Sequence, residues 1–139
     1  MGRIKSIGLL VVLIIMTDTT FGQSRKTIKE KGIVKQTVEE YFIEEGMNKP
    51  VIESVETYNS DGELTEIQEF NRRGEIRKWE KYAYDDDGEL VEEVFINERG
   101  KVARTEKNIY EDGLRVEKQY YNERGKLYKK KAYLYEYSK

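Results

Sequence analysis

The 139-residue sequence contains no cysteine, no histidine and only one proline. Without cysteine, no disulfide can stabilise the chain. Without cysteine and histidine, the usual zinc ligands, the common nucleophile–base pairs and the most frequent general base are missing. Carboxylates are so abundant that no single pair stands out as catalytic. The sequence therefore predicts a protein that is not an enzyme and that binds no cofactor.

A short motif recurs along the chain: an apolar residue, Asn or Asp, two polar residues, Gly, Glu or Lys, and an aliphatic residue. It reads YNSDGEL, FNRRGEI, YDDDGEL, INERGKV and YNERGKL, with a shortened copy, YEDGL, beginning at Tyr110. Alternate motif glycines are 25 or 26 residues apart, so the repeating unit consists of two strands and two turns. These structural turn glycines are Gly62, Gly74, Gly88, Gly100, Gly113 and Gly125.

The chemistry of the motif is that of a β-hairpin turn. Asn or Asp opens a type I turn, and the glycine takes the left-handed conformation of a bulge. Each hairpin is then closed by an apolar pair, and Asp112-Gly113 forms a two-residue turn that sets Ile109 against Val116. The predicted closing pairs are Tyr58 with Leu64, Phe70 with Ile76, Tyr84 with Leu90, Ile96 with Val102, and Tyr121 with Leu127. The fold class is all-β, an antiparallel meander of repeated hairpins.

The same register, continued inward, predicts an apolar row of Ile67, Trp79, Phe95 and Ala103. It places the first four closing pairs on one face and the Trp79 row on the other. It also predicts good charge pairs, Lys81 with Glu93 and Glu117 with Lys131, and poor ones, Glu66 with Glu80 and Glu92 with Glu106. Charged residues make up 37 % of the chain and its mean hydropathy is −0.82. We therefore expect a largely single-layer twisted sheet that offers no cleft.

The N-terminus has the features of a secretory signal peptide. Arg3 and Lys5 precede the ten-residue apolar run Ile7–Met16, which is too short to anchor the chain in a bilayer. We predict a signal peptide at residues 1–22, a flexible segment at 23–31 and a β-repeat domain at 32–139. Residues 33–46 are compatible with helix or strand, and further strands are favoured. The protein is then exported to the periplasm or the exterior, with no membrane span after signal cleavage.

Charge is unevenly distributed along the chain. Residues 33–98 contain 19 Asp or Glu and 7 Lys or Arg, whereas residues 115–139 contain 3 Glu and 8 Lys or Arg. In a meander, this places an acidic flank and a basic end in one sheet. The last predicted strand, Tyr128–Tyr137, is an edge that can accept a partner strand.

The candidate partner-binding residues on that edge are Lys129, Lys130, Lys131, Tyr133 and Tyr135. We expect an acidic protein partner rather than nucleic acid, because the chain is predicted to be exported and is net negative.

Two further interpretations remain open from the residues. Asp85-Asp86-Asp87-Gly88 resembles a calcium loop in composition, although it lacks the ligand spacing of an EF-hand. The eleven tyrosines could form a stacking platform for a glycan, or an aromatic ladder that stabilises the sheet. We prefer the acidic turn and the aromatic ladder.

The repeated unit of Tyr, Asn or Asp, two variable residues, Gly, Lys or Glu, and Leu resembles the YD repeats of RHS-type bacterial surface proteins. It is also similar to the MORN-like repeats of an antitoxin-type family. The resemblance covers about Tyr58–Tyr137. It implies a bacterial β-repeat protein that works by binding, and it adds an alternative: an immunity or antitoxin-like protein that neutralises a toxin. A glycan-binding or calcium-binding adhesin-type module is the other alternative.

Overall fold

The structure is a computed structural model that describes residues 24–46 and 49–138. One short helix precedes eight antiparallel strands, which form a single open sheet in the order of the chain, from β1 to β8. The predicted meander is confirmed. The elements are α1 Arg25–Lys31, β1 Lys35–Glu40, a 3-10 turn Ile43–Glu45, β2 Val51–Tyr58, β3 Leu64–Phe70, β4 Ile76–Tyr84, β5 Leu90–Ile96, β6 Val102–Glu111, β7 Leu114–Asn122 and β8 Leu127–Ala132. The predicted signal peptide, residues 1–22, lies outside the described residues.

The turns form for the reason that the motif suggests. At Asn59, the backbone N–H donates to the Glu63 carbonyl and the carbonyl accepts from the Gly62 N–H, both at 3.0 Å. The Asn59 side-chain oxygen accepts the N–H groups of Asp61 and Glu63 at 3.0 and 2.9 Å. Equivalent bonds occur at the other long turns. All six motif glycines have φ between 71° and 80°, and Asp112, with φ 50°, completes the two-residue turn. The predicted left-handed glycines are confirmed.

All five predicted closing pairs are present. The register places Tyr58 opposite Leu64, Phe70 opposite Ile76, Tyr84 opposite Leu90, Ile96 opposite Val102, and Tyr121 opposite Leu127. Apolar side chains therefore meet across every long hairpin, next to the turn that closes it.

The register inside the strands differs from the prediction, because each of the five long hairpins contains a β-bulge directly after its closing pair. Between β3 and β4, for example, Phe70 pairs with Ile76 but Glu69 pairs with Lys78, so Arg77 is an extra residue. Trp79 consequently lies opposite Gln68, not opposite Ile67 or Phe95.

The apolar row and one turn pairing change accordingly. The observed row runs Ile67, Glu80, Phe95, Arg104, so the predicted row of four apolar residues was wrong. In the two-residue hairpin Ile109 pairs with Glu117, and the pairing with Val116 was also wrong.

The bulges also correct the predicted charge pairs. Glu66 lies opposite Lys81 and Glu92 opposite Lys107, where the unbulged register had opposed two glutamates. The predicted pairs of Lys81 with Glu93 and of Glu117 with Lys131 are replaced by others: Val94 lies opposite Lys81, and Ala132 opposite Glu117. Two unfavourable pairs are new, since Glu93 lies opposite Glu106 and Lys118 opposite Lys131.

An extra residue in a strand reverses the face on which the following side chains lie. The closing pairs that contain Tyr58 and Tyr84 therefore share one face, called here the Tyr58 face. The pairs closed by Phe70 and Ile96 lie on the other, the Trp79 face. The prediction that these four pairs share one face was wrong.

The sheet has no thick core. Within the described residues, the buried apolar side chains are Ile28, Tyr58, Ile67 and Tyr120, and Ile28 alone is fully buried. Most strand positions are half-buried on both faces, as a single layer requires.

Residues 25–31 correct the prediction of a flexible segment. They form α1, which begins at the Ser24 cap and ends at Gly32, a left-handed residue with φ 63°. Ile28 is 1 % exposed, and Arg25 and Lys29 form ion pairs with Glu63 and Asp61 at 2.7 and 2.9 Å. A seven-residue helix is too short to be stable alone, so these contacts with the first long turn hold it in place.

The ambiguous segment 33–46 contains β1 and the 3-10 turn, which ends at Gly46 with φ 66°. The favoured strand assignment is confirmed for Lys35–Glu40. At the other end of the chain β8 stops at Ala132, short of the predicted Tyr137. Beyond it, the Tyr133 N–H still donates to the Val116 carbonyl at 3.0 Å.

Candidate functional site

Strand β8 forms one edge of the sheet. It pairs with β7 on one side, and in the described part of the chain no strand pairs with its outer side. All six of its residues are exposed. An exposed edge strand of this kind has unpaired backbone donors and acceptors that another chain can use.

The three predicted lysines of β8 divide between the two faces. Lys129 and Lys131 lie on the Tyr58 face, where their Nζ atoms are 4.4 and 5.8 Å from the centre of the Tyr120 ring. Lys130 lies on the Trp79 face and forms an ion pair with Glu117 at 3.2 Å. Lys129 and Lys131 have no carboxylate within ion-pair distance in the described residues. The structure thus distinguishes two uncompensated lysines from one that is paired.

Tyr120 is the centre of this cluster. Its side chain is 9 % exposed, and the ring of Tyr128 is 6.4 Å away at a tilted angle. Lys118 adds a third ammonium group, 5.5 Å from the ring centre. Three ammonium groups thus lie within 6 Å of one ring centre, an arrangement that the negative face of the ring favours.

A buried charge network adjoins the cluster. Lys118 Nζ contacts Glu106 Oε2 at 2.6 Å and Glu93 Oε2 at 3.2 Å, which explains how the opposed pair of Glu93 and Glu106 is tolerated. Arg104 Nε contacts Glu106 Oε1 at 2.9 Å and stacks over the Phe95 ring at 3.6 Å.

The titration of this network follows from its geometry. Burial alone raises the pKa of Glu106, but the hydrogen bonds and charges of Lys118 and Arg104 outweigh it and lower that pKa. Burial also opposes the charge on Lys118, yet its bonds to Glu106 and Glu93 raise its pKa. Both groups therefore stay charged at neutral pH, and Lys118 is not available to a partner.

The predicted residues Tyr133 and Tyr135 fasten the segment after β8 to the sheet. The Arg115 guanidinium lies 4.4 Å above the Tyr133 ring, and the Tyr135 hydroxyl donates to the Arg115 carbonyl at 2.6 Å. The structure thus brings Tyr133 and Tyr135 to one residue of β7, whereas Lys129 and Lys131 surround Tyr120.

The bond from Tyr135 belongs to a repeated clasp that the sequence reasoning missed. Tyr84 donates to the Leu64 carbonyl at 2.8 Å and Tyr110 to the Leu90 carbonyl at 3.2 Å, each spanning 20 residues. Burial raises the pKa of both tyrosines. The spacing of 26 and 25 residues between these tyrosines was the signal that could have revealed the clasp. The clasp gives these three tyrosines a structural role in the sheet.

An open groove of about 1020 Å³ lies on the Tyr58 face across β1 to β4. Its lining includes Glu40, Glu56, Ile67, Arg77 and Lys78. The sequence predicted that a single layer offers no cleft, whereas the described sheet has this open groove, lined mostly by strand residues. The prediction that the protein is not an enzyme therefore depends on its lack of histidine and cysteine alone.

The 3-10 turn and the β3–β4 turn meet at one end of this groove. The Arg72 guanidinium stacks over the Phe42 ring at 4.1 Å and forms an ion pair with Glu45. These contacts join the segment that follows β1 to the turn between β3 and β4.

The acidic segment Asp85-Asp86-Asp87 serves a turn. Asp85 Oδ1 accepts the N–H groups of Asp87 and Glu89 at 3.0 and 2.9 Å, as asparagine does in the other copies. In residues 24–46 and 49–138, no three His, Cys, Asp or Glu side chains converge as metal ligands.

No protein-family model matches the chain, and no curated protein matches it in sequence. No helix in the described ranges is both long enough and apolar enough to cross a membrane.

Proposed function

We propose that this chain is an exported, non-enzymatic β-repeat module that binds an acidic protein partner through its β8 edge. The observation that carries the proposal is the pair of exposed lysines, Lys129 and Lys131, on an edge strand without carboxylate partners. Charge of one sign on an interface increases the rate of encounter with a partner of opposite sign and selects against others. Edge backbone groups then supply hydrogen bonds that any partner strand can use.

The division of the lysines gives a matched test. Lys129→Gln/Lys131→Gln removes the two uncompensated charges, while Arg124→Gln/Lys126→Gln removes two charges from the exposed β7–β8 turn. Both variants leave the same net charge. We expect the first to lose partners that the wild type captures from a cell-envelope extract at low salt, and the second to retain them.

Mass spectrometry of the captured proteins should show an excess of acidic segments. Equal capture by the two variants would exclude the Tyr58 side of β8 as the binding surface. The same preparation tests export: after expression of the full-length chain, the extracytoplasmic protein should begin at Gln23. A chain that retains residues 1–22 in the cytoplasm would refute the localisation.

A further inference from the structure

The sheet has two unpaired edges in the part of the chain that the structure describes, and they match in length. Strands β1 and β8 each contain six residues, Lys35–Glu40 and Leu127–Ala132. Helix α1 is bound to the β2–β3 turn through Arg25 and Lys29, and so leaves the outer side of β1 uncovered. An open edge at both ends of a regular meander is what allows one sheet to continue into another.

The number of strands sets the orientation of such a continuation. Neighbouring strands alternate in direction, and there are eight of them. A ninth strand antiparallel to β8 therefore runs in the same direction as β1. We propose that the occupant of the β8 edge is strand β1 of a second copy of this chain, added in the same orientation so that the meander continues across molecules. This inference rests on the proposed binding function of β8 and names its partner.

The charges of the two edges are complementary. Glu39 and Glu40, at the end of β1, are exposed and have no cation within ion-pair distance among the described residues. Strand β8 has Lys129 and Lys131 uncompensated and Lys130 paired. In antiparallel pairing, Glu40 opposite Lys129 also brings Glu39 opposite Lys130.

The faces agree in this register. Glu40 lines the groove on the Tyr58 face, the face on which Lys129 lies. Glu39 and Lys130 both lie on the Trp79 face, since each is the immediate neighbour in its strand of a residue on the Tyr58 face. Oppositely charged side chains directly across two strands stabilise the pairing, and like charges oppose it.

The alternatives to this contact are disfavoured by the same charges. Two β8 edges would bring lysines together, and two β1 edges would bring glutamates together. The contact is therefore head-to-tail, and a head-to-tail contact that does not close into a ring extends into a filament. The acidic first strands and the basic last strands orient approaching copies in the same way.

Charge reversal and mixing test the proposal in the extracytoplasmic chain, purified without a tag. Variant one is Lys129→Glu/Lys130→Glu, and variant two is Glu39→Lys/Glu40→Lys. We expect the mass of the wild type in analytical ultracentrifugation to rise with concentration, from about 1 µM to about 1 mM. Each variant alone should associate at least about tenfold more weakly. An equimolar mixture should recover association, because each reversed edge then meets a complementary one.

Recovery in the mixture distinguishes a lost interface from a lost fold. A wild type that stays monomeric over this range overturns the inference. So does a variant that associates as strongly as the wild type, or a mixture that does not recover. The proposed function is tested separately. If the wild type is monomeric but captures a different acidic protein, and this capture depends on Lys129 and Lys131, the proposed function holds and the self-association does not.

The absence of native cysteine allows a direct test of the register. Glu39→Cys/Lys130→Cys places two sulfurs on opposite residues of neighbouring copies, within the short Cβ separation that a disulfide requires. Mild oxidation should give a ladder of covalent multimers. Glu39→Cys/Arg99→Cys is the control, since Arg99 is exposed in the β5–β6 turn, away from either edge. Equal ladders from the two variants would overturn the proposed pairing.

Discussion

Gly62 and Gly74 occupy the same turn position but have different surroundings. The same substitution at the two sites therefore separates the cost of a left-handed backbone from the cost of displacing α1. Both have a left-handed backbone, with φ 75° and 79°. A Cβ on Gly74 meets nothing within 4 Å, whereas one on Gly62 lies 2.5 Å from the Arg25 carbonyl and 3.0 Å from the Lys29 amide. Those are backbone atoms of α1, so the helix itself must move.

The left-handed conformation costs about 1 kcal/mol for alanine at either site. Gly74→Ala should lose that amount alone. Gly62→Ala should also lose the docking of α1, which buries Ile28, and full burial of such a side chain contributes about 1.5–3 kcal/mol. Glu63, 7 % exposed, would lose its ion pair with Arg25 as well. We therefore expect a loss of about 3–4 kcal/mol for Gly62→Ala.

Urea unfolding followed by Trp79 fluorescence measures both variants. With a slope of about 2 kcal/mol per molar urea, the midpoint should fall by about 0.5 M for Gly74→Ala and by nearly 2 M for Gly62→Ala. Circular dichroism should show the same sheet in both native states. Equal midpoints would refute the docking of α1 on the first turn, and a silent Gly74→Ala would refute the cost assigned to the left-handed backbone.

Two other interactions give distinct signatures. Because the pKa of Glu106 is lowered in the fold, its stabilising effect is present above about pH 4.5 and is lost as the pH falls through the folded pKa. Glu106→Gln should therefore lower the free energy of unfolding, measured with urea at pH 7, by about 1.5–3 kcal/mol relative to wild type. This gap between the two proteins should narrow towards pH 3. A gap that does not change with pH would contradict the role of its bond to Lys118. Tyr84→Phe removes the hydrogen bond to Leu64 and should cost about 1 kcal/mol. Tyr137→Phe, at a side chain that is 78 % exposed, should change the urea midpoint by less than the measurement error.

The hairpin ends could be predicted from the sequence because their information is local. Asn or Asp at the first turn position and Gly at the fourth determine the turn, and the turn determines the closing pair. Every such pair is found where the motif places it. Beyond the closing pair the prediction failed by one residue, because the bulge residues share no chemical character: they include Thr65, Arg77 and Ala103. A bulge of this kind is a property of the backbone next to the turn, and the side chains give no sequence signal for it.

Helix α1 and the division of the lysines between the two faces could not be predicted from the sequence, for two different reasons. The helix is short and polar, and its stability comes from a turn more than 30 residues away in sequence. The three consecutive lysines were visible, but which of them are neutralised depends on the face that each occupies. That face depends on the bulge after Leu127, which adds Tyr128 to the strand.

The bulges also place opposite charges across strands that bury little apolar surface. In the unbulged register, Glu66 and Glu92 would each face another glutamate, at the centre of strands that have no core to compensate the repulsion. Shifting each hairpin by one residue puts Lys81 and Lys107 opposite them instead. Opposite charges across a strand pair stabilise the sheet by a fraction of a kcal/mol each, and like charges destabilise it. The same register also contains two like-charge pairs, Glu93 with Glu106 and Lys118 with Lys131, and Lys118 offsets the first by contacting both glutamates. By the same rule, the exposed Glu39 and Glu40 of the β1 edge are complementary in charge to the exposed Lys129 and Lys130 of the β8 edge.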